Sequence, residues 1–227
     1  MKFNGFPAKT QTFLRGLAKN NTREWFNGHR GDYEKYWLGP AEAFVEAAGD
    51  ALRAFAPEIR AEPRANGSIF RINRDLRFSS DPSPYKTNLD LWFWEGERRR
   101  AVSGFFVRIG PKEIAIGAGA HGFDPETLAR YRSMVADDEG GDDLLKAVRA
   151  VTKAGWTLER ERFKKLPRGY EDATGKRAEL LLHDALWVAR SEPPPDALRS
   201  KAFVAWCAKR WRTAAPLHRW LVEHVQV

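Results

Sequence analysis

A single cysteine, Cys207, stands in 227 residues, which excludes an internal disulfide and any cysteine-clustered zinc site. No apolar run approaches the roughly 18 residues of a membrane span. The opening Met1-Lys2-Phe3-Asn4-Gly5 carries no apolar segment of signal-peptide length. Neither membrane insertion nor export is expected, and the sequence predicts a soluble cytoplasmic protein. The histidines His29, His121, His183, His218 and His224 show no His-x-x-x-His or His-x-His spacing, so no metal site and no cofactor are expected. Gly-x-Ser-x-Gly and the Walker phosphate loop are also missing, as are internal repeats. Charge is unevenly absent. Residues 137–143 hold five acids and no base, and residues 197–222 hold six bases and no acid. Such stretches read as solvated helix faces.

Apolar residues are plentiful at 43%, with nine Trp and 14 Phe, enough for a core that excludes disorder. The net charge is +8, and 25 of the 38 basic residues are Arg. The planar Arg fork suits phosphate and carboxylate.

Hydrophobic spacing predicts helices first. Thr10 is placed to cap a helix carrying Phe13, Leu14 and Leu17, and Asn21 or Thr22 a second with Trp25 and Phe26 inward. Pro40 suits the first turn of a third, which Pro57 stops. Residues 68–72, 88–94, 102–109 and 113–118 then read as strands joined by tight turns at Gly96 and at Gly110-Pro111-Lys112, so neighbours are antiparallel. In 89–94 both faces turn apolar toward the end, which predicts a strand covered on both sides. Asp124 is placed to cap a helix through Tyr131 and Val135, and Asp142 or Asp143 to start another that ends at Gly155. A strand is expected within 156–163, a helix over 178–189, and a helix or helix pair after the triple proline at 193–195. The reading is one α+β domain over 1–227: helical in 1–57, sheet-rich in 66–120, mostly helical in 124–227. A central antiparallel meander is flanked by N-terminal and C-terminal helices.

The densest chemistry lies in the loop 71–87. Arg71, Arg74, Arg77 and Lys86 supply cations, Asp75 and Asp81 carboxylates, and Tyr85 a hydroxyl. Cations beside a carboxylate suit an anionic ligand. Arg71, Arg74, Arg77, Asp81 and Lys86 are the candidate ligand-binding set, with Asp75 as general base and Tyr85 as proton donor if there is hydrolytic or transfer chemistry. The competing reading is a long loop pinned by its own ion pairs. Arg74 is offset by an odd number of positions from Arg71 and Arg77, so the three converge only if the chain bends after Ile72. Gly117-Ala118-Gly119-Ala120-His121-Gly122 fits Gly-x-Gly-x-x-Gly, but it follows a hairpin strand and the helix waits until Pro125. The glycines are read as a close backbone approach, with His121 added to the ligand-binding candidates.

The segment 71–87 also resembles the motif of the family known as domain of unknown function 2461, Arg-x-x-Arg-Asp-x-Arg-Phe followed by an acid, Lys and Tyr. Arg71, Arg74, Asp75, Arg77, Phe78, Asp81 and Tyr85 match in order, and Pro82 stands where the family usually has Lys. Asn20-Asn21 with Glu24-Trp25-Phe26, and the stretch from Leu166 to Tyr170, are similar to the same family. The resemblance implies one α+β domain of this length and names neither an activity nor catalytic residues. Two function classes stay open: a small enzyme or binding protein for a small anionic ligand, and a non-catalytic interaction module. The second includes nucleic-acid binding through Arg98, Arg99, Arg100, Arg160, Arg162, Lys164, Lys165 and Arg168.

Overall fold

A computed structural model describes residues 2–77, 81–97, 103–159 and 162–226. The expected positions Phe78, Ser79, Ser80, Arg98, Arg99, Arg100 and Arg160 lie outside the described residues.

The N-terminal layer is helical. α1 (Ala8–Lys19) buries Phe13, Leu14 and Leu17, and α2 (Arg23–Gly28) is capped by Thr22, whose side chain accepts from the Trp25 amide at 3.2 Å. Thr10 is not a cap. The helix begins two residues before it, and its buried hydroxyl donates to the Tyr36 carbonyl. That bond has a cause further along. α3 (Arg30–Tyr33) runs through a π-helical turn (Glu34–Leu38) into α4 (Gly39–Arg53), with Pro40 in its first turn. Pro40 has no N–H for the carbonyl four residues back, that of Tyr36. The wide turn accommodates the ring, and Thr10 supplies the missing donor.

The sheet has strands β1 (Leu89–Trp94), β2 (Gly104–Ile109), β3 (Ile114–Ala120), β4 (Thr157–Leu158) and β5 (Leu186–Glu192). Their order is β1-β2-β3-β5-β4, with all neighbours antiparallel. The meander β1-β2-β3 is the expected one. Two expected strands shrink. Residues 68–72 make only isolated bridges, Ile69 to Leu91 and to Ala65, and among the described residues of 156–163 only the two residues of β4 are strand. The helix expected over 178–189 is a correction of kind. α7 (Gly175–Leu181) stops early, and the chain re-enters as β5, with Leu186 and Val188 buried and Trp187 and Ala189 half-buried. The open edge of β3 needs a partner for its amides, and that demand overrides local helix propensity.

α5 (Pro125–Ala136) has the expected Asp124 cap, which accepts from the Thr127 amide at 2.9 Å. α6 (Asp138–Lys153) starts earlier than Asp142 because Asp137 caps it, accepting from the Gly140 amide at 2.8 Å. The acids at 138–143 then sit in its first turns, where the helix dipole favours them. α8 (Ala202–His224) follows a 3-10 turn (Asp196–Arg199) as one continuous helix containing Pro216.

The core lies on one face of the sheet. Leu91 and Phe93 of β1, Phe105 and Val107 of β2, and Ile116 of β3 point into it. α8 covers them, with the Trp211 ring against Phe93 at 5.4 Å and Phe105 at 6.2 Å, and α4 adds Phe44 against Phe93. The buried indoles mostly find acceptors: Trp211 donates to the Phe106 carbonyl, Trp156 to Thr213, and Trp220 to the Gly140 carbonyl. The alternate face of the sheet behaves differently. Trp92, Phe106 and Trp187 are only half-buried, outside the main core cluster. Coverage on both sides, expected for β1, holds for Trp94 but not for Trp92.

Candidate functional site

The loop 71–86 is closed at its neck by the backbone. Arg74 N–H donates to Pro84 at 2.9 Å, Lys86 N–H donates to Ile72 at 2.7 Å, and Asn73 pairs with Tyr85. The chain bends at Ile72, and the described residues 68–77 form no regular strand. A second clamp comes from the helical layer. The Asn21 side chain donates to the Tyr85 carbonyl at 2.8 Å and accepts from the Tyr85 amide at 3.1 Å. The buried Tyr85 ring stacks on Phe26 with centroids 4.3 Å apart. Asn21 thus copies the two bonds of a strand partner.

Inside the neck the charges pair off. Asp75 accepts from Arg77 Nε at 3.0 Å and from its terminal nitrogen at 2.6 Å, with Arg71 4.0 Å away. Hydrogen bonds from the Arg77 side chain and amide, helped by both guanidinium charges, hold the Asp75 carboxyl far below the usual carboxylate range. Asp81 accepts from the Ser83 amide at 2.9 Å and pairs with Arg74. Those contacts, Ser83 first, bring Asp81 to about 2. The three guanidiniums do not converge on one point. Arg71 and Arg77 flank Asp75, and Arg74 turns to Asp81.

Lys86 leaves the loop for the sheet. Its ammonium lies 3.8 Å from Asp90 and 4.9 Å from the Phe70 ring centroid. Asp90 also accepts from Arg108 Nε and from the Asn88 amide group, each at 2.6 Å. Partial burial lowers the Lys86 pKa; Asp90 opposes this, while Arg108 and Arg71 push it further down. The Asp90 carboxylate therefore stands between two cations, Lys86 and Arg108, at the corner where loop meets sheet. His121 is elsewhere. It follows β3 at the end opposite Asp90 in the sheet register, with its ring 4.8 Å from Trp187.

The glycines before His121 act by close approach. A Cβ on Gly117 would lie 2.2 Å from the Val188 carbonyl oxygen and 2.4 Å from the Phe106 ring. Arg162 of the expected nucleic-acid set faces Asp184 at 3.6 Å. Among the described residues no group of His, Cys, Asp or Glu is placed to hold a metal ion, and no helix is long and apolar enough to cross a membrane. Cys207 is buried, which pushes its thiol pKa well up.

Asn21, Asp90 and Arg108 escaped the sequence reading. Asn20-Asn21 looks like an ordinary helix end, and Asp90 and Arg108 look like the solvent side of strands. A cross-strand ion pair becomes visible only once the register is known. A buried network was missed as well. Ser103 Oγ lies 2.8 Å from His218 Nδ1, and His218 Nε2 lies 3.6 Å from Glu95. Gln226 joins it by accepting from the Ser103 amide and donating to the Glu95 carbonyl. The residue types echo a hydrolytic triad, but Ser103 is fully buried, and a nucleophile needs access. The network fastens the β1–β2 ends to the end of α8.

The family model described as "Conserved hypothetical protein (DUF2461)" matches residues 9–220. No curated protein and no solved structure matches the chain. With a match that runs from α1 to near the end of α8, the chain belongs to the DUF2461 family.

Proposed function

We propose that the chain is a binding protein for a small phosphate- or carboxylate-bearing ligand, held where Lys86 and Arg108 flank Asp90. The observation that carries this reading is the charge balance of that corner. Two cations, Lys86 and Arg108, share the Asp90 carboxylate, and like-charge pressure from Arg108 and from Arg71, which itself lies beside Asp75, helps lower the Lys86 pKa. An anion arriving there relieves the pressure and gains charge-assisted hydrogen bonds. Arg74 and Arg77 are engaged by Asp81 and Asp75 and shape the loop instead.

Binding without chemistry fits the neighbouring groups better than hydrolysis or transfer. A general base works best with a pKa near the working pH, and Asp75 is held far below it. Tyr85 is buried on Phe26, with its backbone clamped by Asn21. In this reading Asp75 orients Arg77, and Tyr85 anchors the loop.

The test is thermal melting with inorganic phosphate. Ligand at a hundred times its Kd stabilises by about 2.7 kcal/mol, so the unmutated protein melts higher as phosphate rises. Lys86→Ala and Arg108→Ala are expected to melt cooperatively but to lose most of that shift. An equal shift in both variants would place the anion elsewhere and overturn the proposal.

A further inference from the structure

The sheet face turned away from the helices carries an unusual set of side chains. Phe70, Trp92, Phe106, Trp187 and His121 form a row across it. Phe70 and Trp92 lie 6.5 Å apart, Phe106 and Trp187 5.8 Å, and Trp187 and His121 4.8 Å, while Trp92 and Phe106 are direct cross-strand partners. Each of the five is half-buried or exposed. Between the rings the strands place small groups on this face, Gly104, Ala115, Gly117, Gly119 and Ala189, and on β1 the buried Trp94 stacks beside Trp92.

The glycines explain how the rings lie. A Cβ on Gly104 would meet the Trp92 indole nitrogen at 2.5 Å, one on Gly117 the Phe106 ring at 2.4 Å, and one on Gly119 the Trp187 Cβ at 2.8 Å. Aromatic groups thus fill the space above three glycines and lie against the sheet. The platform ends at the cationic corner, because Lys86 sits over Phe70, and Asp90 and Arg108 share this face with Trp92 and Phe106.

We propose that this face binds single-stranded nucleic acid, with bases stacked on Trp92, Phe106 and Trp187 and a phosphate at Lys86 and Arg108. The inference rests on the anion-binding reading of the corner and extends it to the ligand's class. Aromatic rings accept any base by its π face, and cations take the backbone. Trp92 on β1 and Trp187 on β5 are three strand spacings apart, about 14 Å, a span for roughly two or three bases. The chemistry disfavours other occupants. Among the described residues these strands present flat rings and no aliphatic side chain larger than alanine on this face, a surface shaped for planar groups. A neutral sugar would use the rings and leave the cations without a role. A duplex keeps its bases stacked on each other.

The experiment is fluorescence anisotropy with a labelled twelve-residue oligothymidylate over a range of salt concentrations, beside the phosphate melting series. The unmutated protein is expected to bind, and an unlabelled duplex of equal length to compete poorly. Trp187→Ala and Trp92→Ala are expected to weaken binding by about five-fold or more with an unchanged salt slope. Arg108→Ala is expected to flatten the slope by about 0.7. Phe70→Ala, at an exposed ring outside the strands, gives a smaller loss without risk to the sheet. No oligonucleotide binding, or equal affinity in the Trp187, Trp92 and Phe70 variants, overturns the platform. If phosphate still stabilises the protein in that case, the anion corner stands alone. If phosphate fails too, both readings fall.

Discussion

Asn21 shows how much one side chain can organise. Its amide group meets both backbone polar groups of Tyr85 across 64 positions of sequence, joining the helical layer to the neck of the charged loop. A carboxamide is suited to this because it carries a donor and an acceptor on one planar group. Asn21→Ala leaves the partly buried Tyr85 amide and carbonyl without those partners. The expected cost is about 1–3 kcal/mol. Chemical denaturation checks the magnitude, and faster hydrogen exchange at the Tyr85 amide locates it. Asn21→Asp keeps the acceptor for the Tyr85 N–H but loses the donor to its carbonyl, so it should fall between the two. An unchanged melting curve and exchange rate in Asn21→Ala would mean that the Phe26–Tyr85 stack alone holds the neck.

At the scale of elements, legibility followed locality. The Thr22 and Asp124 caps, Pro40 in a first turn and the meander β1-β2-β3 rest on neighbouring residues, and each is where the sequence places it. β5 was misread because Leu180, Leu181, Leu182, Leu186 and Trp187 satisfy a helical period. What decides against a helix is the vacant edge of β3, far away in sequence. The approach of these two strands is set by glycine. A Cβ on Gly117 would strike the Val188 carbonyl oxygen, a backbone atom that moves only if the β3–β5 ladder moves. Gly117→Val is therefore expected to destabilise by about 3 kcal/mol. Ala115→Val, two residues earlier on the same face, should cost well under half as much, since branched side chains suit strands. Urea melts of the two variants decide the point. Equal costs would show that β5 can yield.

For the whole molecule, the loop was legible as a concentration of charge, but its partners were not. Asp75 and Arg77 pair within two residues, which a sequence can suggest, whereas Lys86, Asp90 and Arg108 meet only through the β1–β2 register. The aromatic platform was hidden for a related reason: aromatic content alone does not say which face of a sheet a ring occupies. The same distribution of charge sets the response to acid. Asp75, Asp81, Asp142 and Glu192 all lie below their ordinary values, because Arg77, Ser83 with Arg74, Arg177 and Arg210 respectively hold the ionised form. A depressed folded pKa stabilises above the unfolded value, about 3.9 for Asp and 4.3 for Glu, and that contribution is lost as pH falls through the folded value. Stability should therefore hold at pH 5 and fall below about pH 4, the Asp81 contribution being lost near pH 2 and that of Asp75 at still lower pH. Carboxyl chemical shifts through the titration test the assignment residue by residue. Asp81 is expected to titrate near 2, and in Arg74→Ala to rise only part of the way to its ordinary value, because the Ser83 contacts remain. A full return would make Arg74 the sole cause. No shift at all would leave the loop held by Ser83, with Arg74 free to meet a ligand.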